Sequence, residues 1–305
     1  MIARTASLAG TVAACPCCSG TASEEAFVAH DANRLMSDEP FHYRRCDACA
    51  TVWLDNVPDD IAAHYPADYH DFPSGRALED AVLAEGPRLA LITAHVTGGR
   101  LVEVGPSQGV FSCAARRAGF DVTALEMDAE CCAFLRDTLG VRALNTADPV
   151  AAFADLPPSR AVVMWHLLEH VPDPAGLLAA VAANLEPGGV VAIATPNPQG
   201  LQARLLGRRW LHVDAPRHLT LIPLPTLTGL LERHGLRRVS ATTVDPVGLA
   251  LNRMGWQLSM VRAPKLTREG PRWAYTFMKV GAALGPIERR GLRGAAYTTV
   301  FRKPG

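Results

Sequence analysis

Three observations predict an α/β fold for most of this chain: a doubly wound, mostly parallel sheet of seven strands covered by helices on both faces. Short apolar runs alternate with helical segments from residue 77 onward, the pattern of strands buried on both sides. The first run leads into a turn of small residues, Glu103-Val104-Gly105-Pro106-Ser107-Gln108-Gly109. A carboxylate, Glu126, ends the second run 21 positions after Gly105. The N-terminal 75 residues do not follow the alternation. They carry two cysteine pairs instead, so the chain divides into a small zinc-ribbon-like module with its connector (1–75) and an α/β domain (76–305).

The module is read from Cys15-Pro-Cys-Cys18 and Cys46-Asp-Ala-Cys49. Each C-x-x-C turn aims two thiols at one point. The two turns, 27 residues apart, supply the four soft ligands of tetrahedral Zn2+. With all four positions filled by protein, such a site is structural; four reduced thiols without metal are the alternative. Cys17 is an extra and is not expected to be a ligand. Phe41, Tyr43 and Val52 to Leu54 read as short strands around the second turn. Residues 55–75, rich in Asp, Pro, His and Tyr, read as an irregular connector.

In the α/β domain, Ala77 to Glu85 and Pro87 to Val96 are helical, the second opened by a proline whose missing N–H costs nothing there. Strands are expected at Leu101–Val104, Val122–Leu125, Val141–Leu144, Ala161–Trp165 and Val190–Ala194. Helices are expected at Val110–Ala118, from the Asp128 cap to Leu139, and from Asp173-Pro174 to Leu185. An insertion at 196–222 precedes a helix at Leu224–His234 and a strand at Leu236–Val244. A second insertion, 246–294, holds two helices, Leu249–Val261 and Trp273–Leu284, with Trp256, Met260, Trp273, Phe277 and Met278 as apolar bulk. These helices cover the site, form a homodimer face or complete the core. Ala296–Phe301 is the last strand, paired antiparallel.

Composition bounds the function. A hydrophobic share of 49% supports a packed core rather than disorder. Thirty basic against thirty acidic residues give no net charge, which disfavours nucleic acid or an anionic membrane as the main partner. No apolar run approaches the ~18 residues of a spanning helix. The stretch from Ala6 to Ala14, with Val12-Ala13-Ala14-Cys15 placed like a lipoprotein cleavage box, is short, poor in Leu and Ile, and broken by Ser7, Gly10 and Thr11. It does not read as an export signal. Eight cysteines in 305 residues are too sparse for a disulfide scaffold, so a cytoplasmic location is expected.

Ligands of such sheets sit beyond the carboxyl ends of the strands, where the winding reverses. The turn at 103–109 lets a cofactor approach the backbone. It is not the dinucleotide fingerprint G-x-G-x-x-G, since Ser107 and Val110 stand where Gly and a small residue are needed; a nicotinamide dehydrogenase is disfavoured on that ground. Glu126 is placed to accept both hydroxyl hydrogens of a ribose.

The run Trp165-His-Leu-Leu-Glu169-His170-Val-Pro-Asp-Pro174, followed by Leu185-Glu-Pro-Gly-Gly189 and Thr195-Pro-Asn197, resembles class I S-adenosylmethionine-dependent methyltransferases. The likeness is to a bacterial branch with an N-terminal paired-cysteine zinc module, and it extends over the knuckles, the Tyr65-Pro-Ala-Asp-Tyr69 connector and the 210–219 segment. Pro106-Ser107 depart from the more usual Cys-Gly. The resemblance implies S-adenosylmethionine as cofactor, with Glu103, Gly105, Ser107 and Gly109 around its methionine part, Glu126 on the ribose and Met127 beside the adenine. It further implies Asp148 at the adenine edge, and Trp165 and His166 facing the sulfonium.

The 196–222 insertion offers an acceptor pocket through Arg208, Arg209, Trp210 and Arg217, the arginines able to clamp a carboxylate or phosphate; a solvated basic loop is the alternative. Direct displacement needs alignment and, for a protic acceptor, a base near neutral pH. His218 is the first candidate and His166 the second. A small molecule (a sugar, a phenol or a natural-product intermediate) is the expected acceptor, against a nucleic-acid-binding or nucleic-acid-methylating protein built on the zinc knuckles.

Overall fold

The computed structural model describes residues 10–11, 14–66, 69–259, 279, 281 and 283–305. The N-terminal part contains strands β1 (Gly10–Thr11), β2 (Ser23–Ala29), β3 (Phe41–Cys46), β4 (Val52–Leu54) and β5 (Asn56–Val57). The α/β part follows as α1 (Gly75–Ala84), α2 (Gly86–Thr93), β6 (Gly99–Val104), α3 (Val110–Arg117), β7 (Phe120–Glu126), α4 (Ala129–Asp137) and β8 (Arg142–Asn145). Then come α5 (Pro149–Asp155), β9 (Ser159–Trp165), α6 (Pro174–Asn184), β10 (Leu185–Pro196), α7 (Leu201–Leu206), β11 (Thr220–Leu221), α8 (Leu224–Arg233), β12 (Arg237–Thr242), α9 (Pro246–Leu258) and β13 (Ala296–Arg302).

The seven-stranded sheet has the order β12-β13-β10-β9-β6-β7-β8. The strands from β10 to β8 are parallel, and β13 pairs antiparallel with both β10 and β12. Val162, Val163, Ile193 and their neighbours are fully buried, which is why these strands read as continuous apolar runs rather than alternations. Helix starts follow cap chemistry: Asp128 Oδ1 accepts from the amides of Glu130 and Cys131 at 2.9 and 2.8 Å, and Asp173 Oδ1 accepts from Gly176 at 2.8 Å. The winding reverses between β6 and β9, so the carboxyl ends of β9, β6 and β7 frame the crevice.

Besides the elements β1, β2, β5, α7 and β11, which fall where the sequence reading places none, two elements of the large sheet region depart from it. Helix α5 was not expected: it is seven residues long, too short to show a helical period, and is capped by Asp148. Strand β10 begins at Leu185 rather than Val190, taking in Pro187-Gly188-Gly189 with a register shift. The second helix expected in the 246–294 insertion, with Trp273, Phe277 and Met278, lies for the most part outside the described residues, as does Met260 of the first.

Strands β2, β3 and β4 join a sheet of order β11-β4-β3-β2 whose edge strand, β11, comes from beyond β10, while β1 pairs with β5. Cys15, Cys17, Cys46 and Trp53 pack in one apolar cluster with Val102, Val162, Leu177 and Leu227 on one face of the large sheet. The module and the α/β domain therefore share core. Among the described residues no helix is long and apolar enough to cross a membrane.

Candidate active site

The site begins with the turn after β6. Gly105 and Gly109 have φ of 67° and 66°, and a Cβ on either would collide with Leu167 or Leu135 respectively. Glycine is needed here for backbone hand and for packing. Ser107 also lies in the left-handed region, φ 51°. Its backbone N–H donates to Glu126 Oε2 at 2.9 Å, and the Asp128 N–H donates to Oε1 at 3.0 Å. Two amides thus fix the Glu126 carboxylate at the end of β7, each oxygen keeping a further lone pair. Met127 beside it is exposed.

Across the turn, Glu103 is buried and its carboxylate accepts from the Ser112 hydroxyl. Burial pushes this carboxyl up to about 8; nearby Glu85 and Glu126 push the same way, while Ser112 and Arg88 oppose. Arg88 bonds both carboxylate oxygens of Glu85 at 3.2 Å and holds its guanidinium carbon 4.9 Å from the Trp165 ring centroid. The Trp165 indole nitrogen is buried without a hydrogen-bond partner. Arg88 and Glu85 had no sequence signal beyond their i,i+3 spacing on a short helix. The connector reaches the same place: His70 Nδ1 lies 3.0 Å from Ser107 Oγ, and the Phe72 ring lies 4.7 Å from that of Phe134. Asp148 caps α5, its Oδ1 accepting from Ala151 N–H at 3.0 Å.

The other half is a cluster of histidines and carboxylates at the ends of β9 and β10. His166 follows Trp165 with φ 55°. Its Nδ1 stands 3.3 Å from Glu169 Oε1, without the alignment of a hydrogen bond; Glu169 Oε2 accepts from Thr195 Oγ1 at 2.9 Å. Burial alone would raise the Glu169 carboxyl. The neighbouring His166, His218 and His170 outweigh it and hold it at about 2. His170 Nδ1 lies 2.9 Å from the Arg217 carbonyl, and His218 Nδ1 lies 2.8 Å from the His212 carbonyl. A carbonyl only accepts, so in each ring Nδ1 carries the hydrogen and Nε2 the lone pair of the neutral form. Burial and the charge of His218 lower His170 to about 4. The same causes, with His166, lower His212 to about 3.

Two expected acceptor contacts are corrected. The Arg217 side chain is fully buried. It gives Nη2 and Nη1 to Asp31 at 2.6 and 3.2 Å, Nη2 and Nε to Asp214 at 2.7 and 3.1 Å, and Nη1 to the His64 carbonyl at 2.9 Å. All five N–H groups are spent on the protein, and none is left to clamp a substrate. Trp210 is 3% exposed and packs with Phe41, Tyr43, Val213 and Leu221; it is core. Arg208 and Arg209 lie exposed on a 3-10 turn.

The cysteines come together as their spacing predicts. The Sγ atoms of Cys15, Cys18, Cys46 and Cys49 lie within 4.8 Å of one another, with Cys15–Cys49 and Cys18–Cys46 at 3.5 Å. Four thiolates at 2.3 Å from Zn2+ stand about 3.8 Å apart, so the quartet fits that ion. Cys17 is buried to the side. Glu169, His170 and His218 also offer ligand atoms within 4.8 Å.

A family model described as a methyltransferase domain matches residues 75–241. The ubiquinone biosynthesis O-methyltransferase of Aeromonas salmonicida is 30% identical over 134 residues, 39% of this chain and 53% of that protein; the chain spans about half the length of the curated relatives it matches. Among solved structures, an S-adenosylmethionine-dependent methyltransferase from Archaeoglobus fulgidus aligns over 74% of this chain and 94% of its own, at TM-score 0.50 and 16% identity. The [4+2]-cyclase SpnF aligns over 77% and 84%, at TM-score 0.50 and 17% identity. A fold shared by a methyltransferase and a cyclase does not by itself fix a reaction.

Proposed function

Because the chain belongs to the methyltransferase-domain family, we propose that it transfers a methyl group from S-adenosylmethionine to a small-molecule acceptor by direct displacement, with a histidine as base. One observation carries this reading: the Glu126 carboxylate is held by two amides at the end of β7, with the Arg88–Glu85 pair and buried Glu103 beside the neighbouring strand end. That arrangement of hydrogen-bonding and charged groups supports a ligand with a ribose at one end and an amino acid at the other. Glu126 would accept from the ribose hydroxyls with Met127 flanking the adenine. Glu103 would face the ammonium and Arg88 the carboxylate of the methionine part.

When bound, the cofactor supplies an electrophilic methyl group on a sulfonium that is its own leaving group. The chain has to align the acceptor with it, exclude water and take a proton. His166 is better placed for the last task than His218. It adjoins Leu167, which packs on Gly105, and its side chain is 26% exposed. His218 is buried, with its ring packed against those of His170 and His212. The name of the curated relatives, together with a base at the site, supports a phenolic or other hydroxyl acceptor. Cys15, Cys18, Cys46 and Cys49 would hold a structural Zn2+.

Calorimetry tests the reading directly. S-adenosylhomocysteine is expected to bind and NAD not; tight binding of NAD alone would sink it. A labelled-methyl assay over candidate phenols and sugars, read by mass spectrometry, then identifies the acceptor.

A further inference from the structure

We propose that Glu169 is the positioning residue for His166, and that the two form a carboxylate–imidazole dyad that takes the proton of a hydroxyl or amine acceptor. The inference rests on the methyl-transfer reading above and assigns Glu169 and Thr195 roles within it.

The dyad is built by the ends of two neighbouring strands. The His166 backbone N–H donates to the Ala194 carbonyl at 2.8 Å, tying the residue after β9 to β10. The next residue on β10, Thr195, gives its hydroxyl hydrogen to Glu169 Oε2 at 2.9 Å. That bond fixes the carboxylate and leaves Oε1, which is buried and has no hydrogen bond of its own, 3.3 Å from His166 Nδ1. A non-glycine residue held at φ 55° is strained, and here the strain places the imidazole next to that oxygen. The other imidazoles near Glu169 are committed elsewhere, His170 to the Arg217 carbonyl and His218 to the His212 carbonyl. Tyr65 Oη lies 3.2 Å from His170 Nδ1 and Asp214 Oδ2 lies 3.9 Å from His218 Nε2, which completes the polar surroundings. His166, a quarter exposed beside a carboxylate that is 1% exposed, is the member that can meet a ligand.

A carboxylate at Nδ1 puts the hydrogen of the neutral ring there and leaves the lone pair on Nε2. The reaction then balances. The acceptor's O–H or N–H proton passes to Nε2, and the oxygen or nitrogen pair forms the bond to the methyl carbon. The carbon–sulfur pair stays with sulfur. The sulfonium charge is exchanged for an imidazolium charge, which Glu169 stabilises through the Nδ1–H bond.

The test uses the full chain labelled with 15N-histidine and bound to S-adenosylhomocysteine, with nitrogen spectra recorded near pH 9, where free imidazoles are neutral. His166→Asn assigns the signal among the ten histidines. The wild type should show His166 mostly as the Nδ1–H tautomer. Glu169→Ala should invert the ratio toward Nε2–H, and Glu169→Asp should restore part of it. Should Glu169→Ala not fold, the wild-type spectrum and that of Thr195→Val decide. An Nε2–H His166 in the wild type, or a ratio unmoved by loss of Glu169, overturns the dyad. Absence of S-adenosylhomocysteine binding in the wild type overturns the methyl-transfer reading itself and is seen separately, in the calorimetry.

Discussion

The edge proposed to hold the cofactor and the wall proposed to face the acceptor are made in different ways. At the cofactor edge, Gly105, Ser107, Glu126 and Asp128 lie within 24 residues of chain, on the ends of adjacent strands. Both carboxylates there are set by neighbouring amides, Glu126 by those of Ser107 and Asp128 and Asp128 by those of Glu130 and Cys131. The acceptor wall is assembled from distant chain. Arg217 joins Asp31 from 186 residues away, β11 completes the N-terminal sheet, and the Tyr43 hydroxyl donates to the His218 carbonyl at 2.9 Å. A nucleotide-bearing cofactor can be held by a local motif. The wall proposed to face the acceptor here depends on a second module being docked.

Metal removal is the harshest challenge to that contrast. Structural Zn2+ contributes roughly 10 kcal/mol or more to the fold of small zinc modules. Metal analysis should find about one zinc per chain. Chelation, or Cys18→Ser, should release the N-terminal strands and with them the acceptor wall, while S-adenosylhomocysteine affinity changes far less. Affinity lost in step with the metal would show that the two halves are one unit. Finding no zinc in protein purified without chelator would remove the metal from the account.

Arg217→Met comes next. It takes the cation from the buried Asp31 and the partly buried Asp214, a change that costs about 3–5 kcal/mol for a buried pair. Denaturant unfolding should show a lower midpoint, and Arg217→Lys should not recover it, because an ammonium cannot match two bidentate carboxylates. A stability loss under 1 kcal/mol would mean the clasp is incidental.

These residues also show where sequence reasoning stops. The place of Glu126 at a strand end beside the glycine turn is legible because it is a local pattern; the approach of the paired cysteines is legible for the same reason. Trp210 and Arg217 were read as acceptor contacts because an aromatic amid basic residues looks like a pocket. Their burial is decided by Asp31, Phe41 and Tyr43, far off in sequence. Thr195 and Glu169 were in view as parts of a motif, but their hydrogen bond depends on β9 and β10 being neighbours.

At the cofactor edge, Glu126→Gln should be milder. The amide can still accept from one backbone N–H, but its charge and one acceptor oxygen are lost. Charge-assisted hydrogen bonds are worth about 1.5–3 kcal/mol, so S-adenosylhomocysteine should bind roughly ten- to a hundredfold more weakly by calorimetry, with the thermal midpoint little changed. Unaltered affinity would move the ribose elsewhere and erase the local motif on which the contrast is drawn.

The smallest effect is the most discriminating, because the two halves should respond to pH in opposite directions. Glu103, raised by burial to about 8, is neutral in the native ligand-free protein. An unfolded carboxyl ionises near 4.5, so the native state holds the extra proton above that value. The stability this group contributes is complete below about 4.5 and is lost as pH rises toward 8. On the acceptor wall, His170 and His212 are lowered to about 4 and about 3. Their contribution is complete above about 6.5 and is lost as pH falls. Glu169, held at about 2, adds a loss that begins below about 4.5. Amide exchange along a pH series, corrected for intrinsic rates, should therefore show residues 210–221 losing protection between pH 6.5 and 4, while β6 and β7 keep theirs. Glu103→Gln should remove the alkaline weakening of the cofactor edge and leave the acid response of the wall intact. If both regions lost protection together on acidification, the charge cluster would be acting on the whole sheet, and the separation between a locally built edge and a docked wall would not hold.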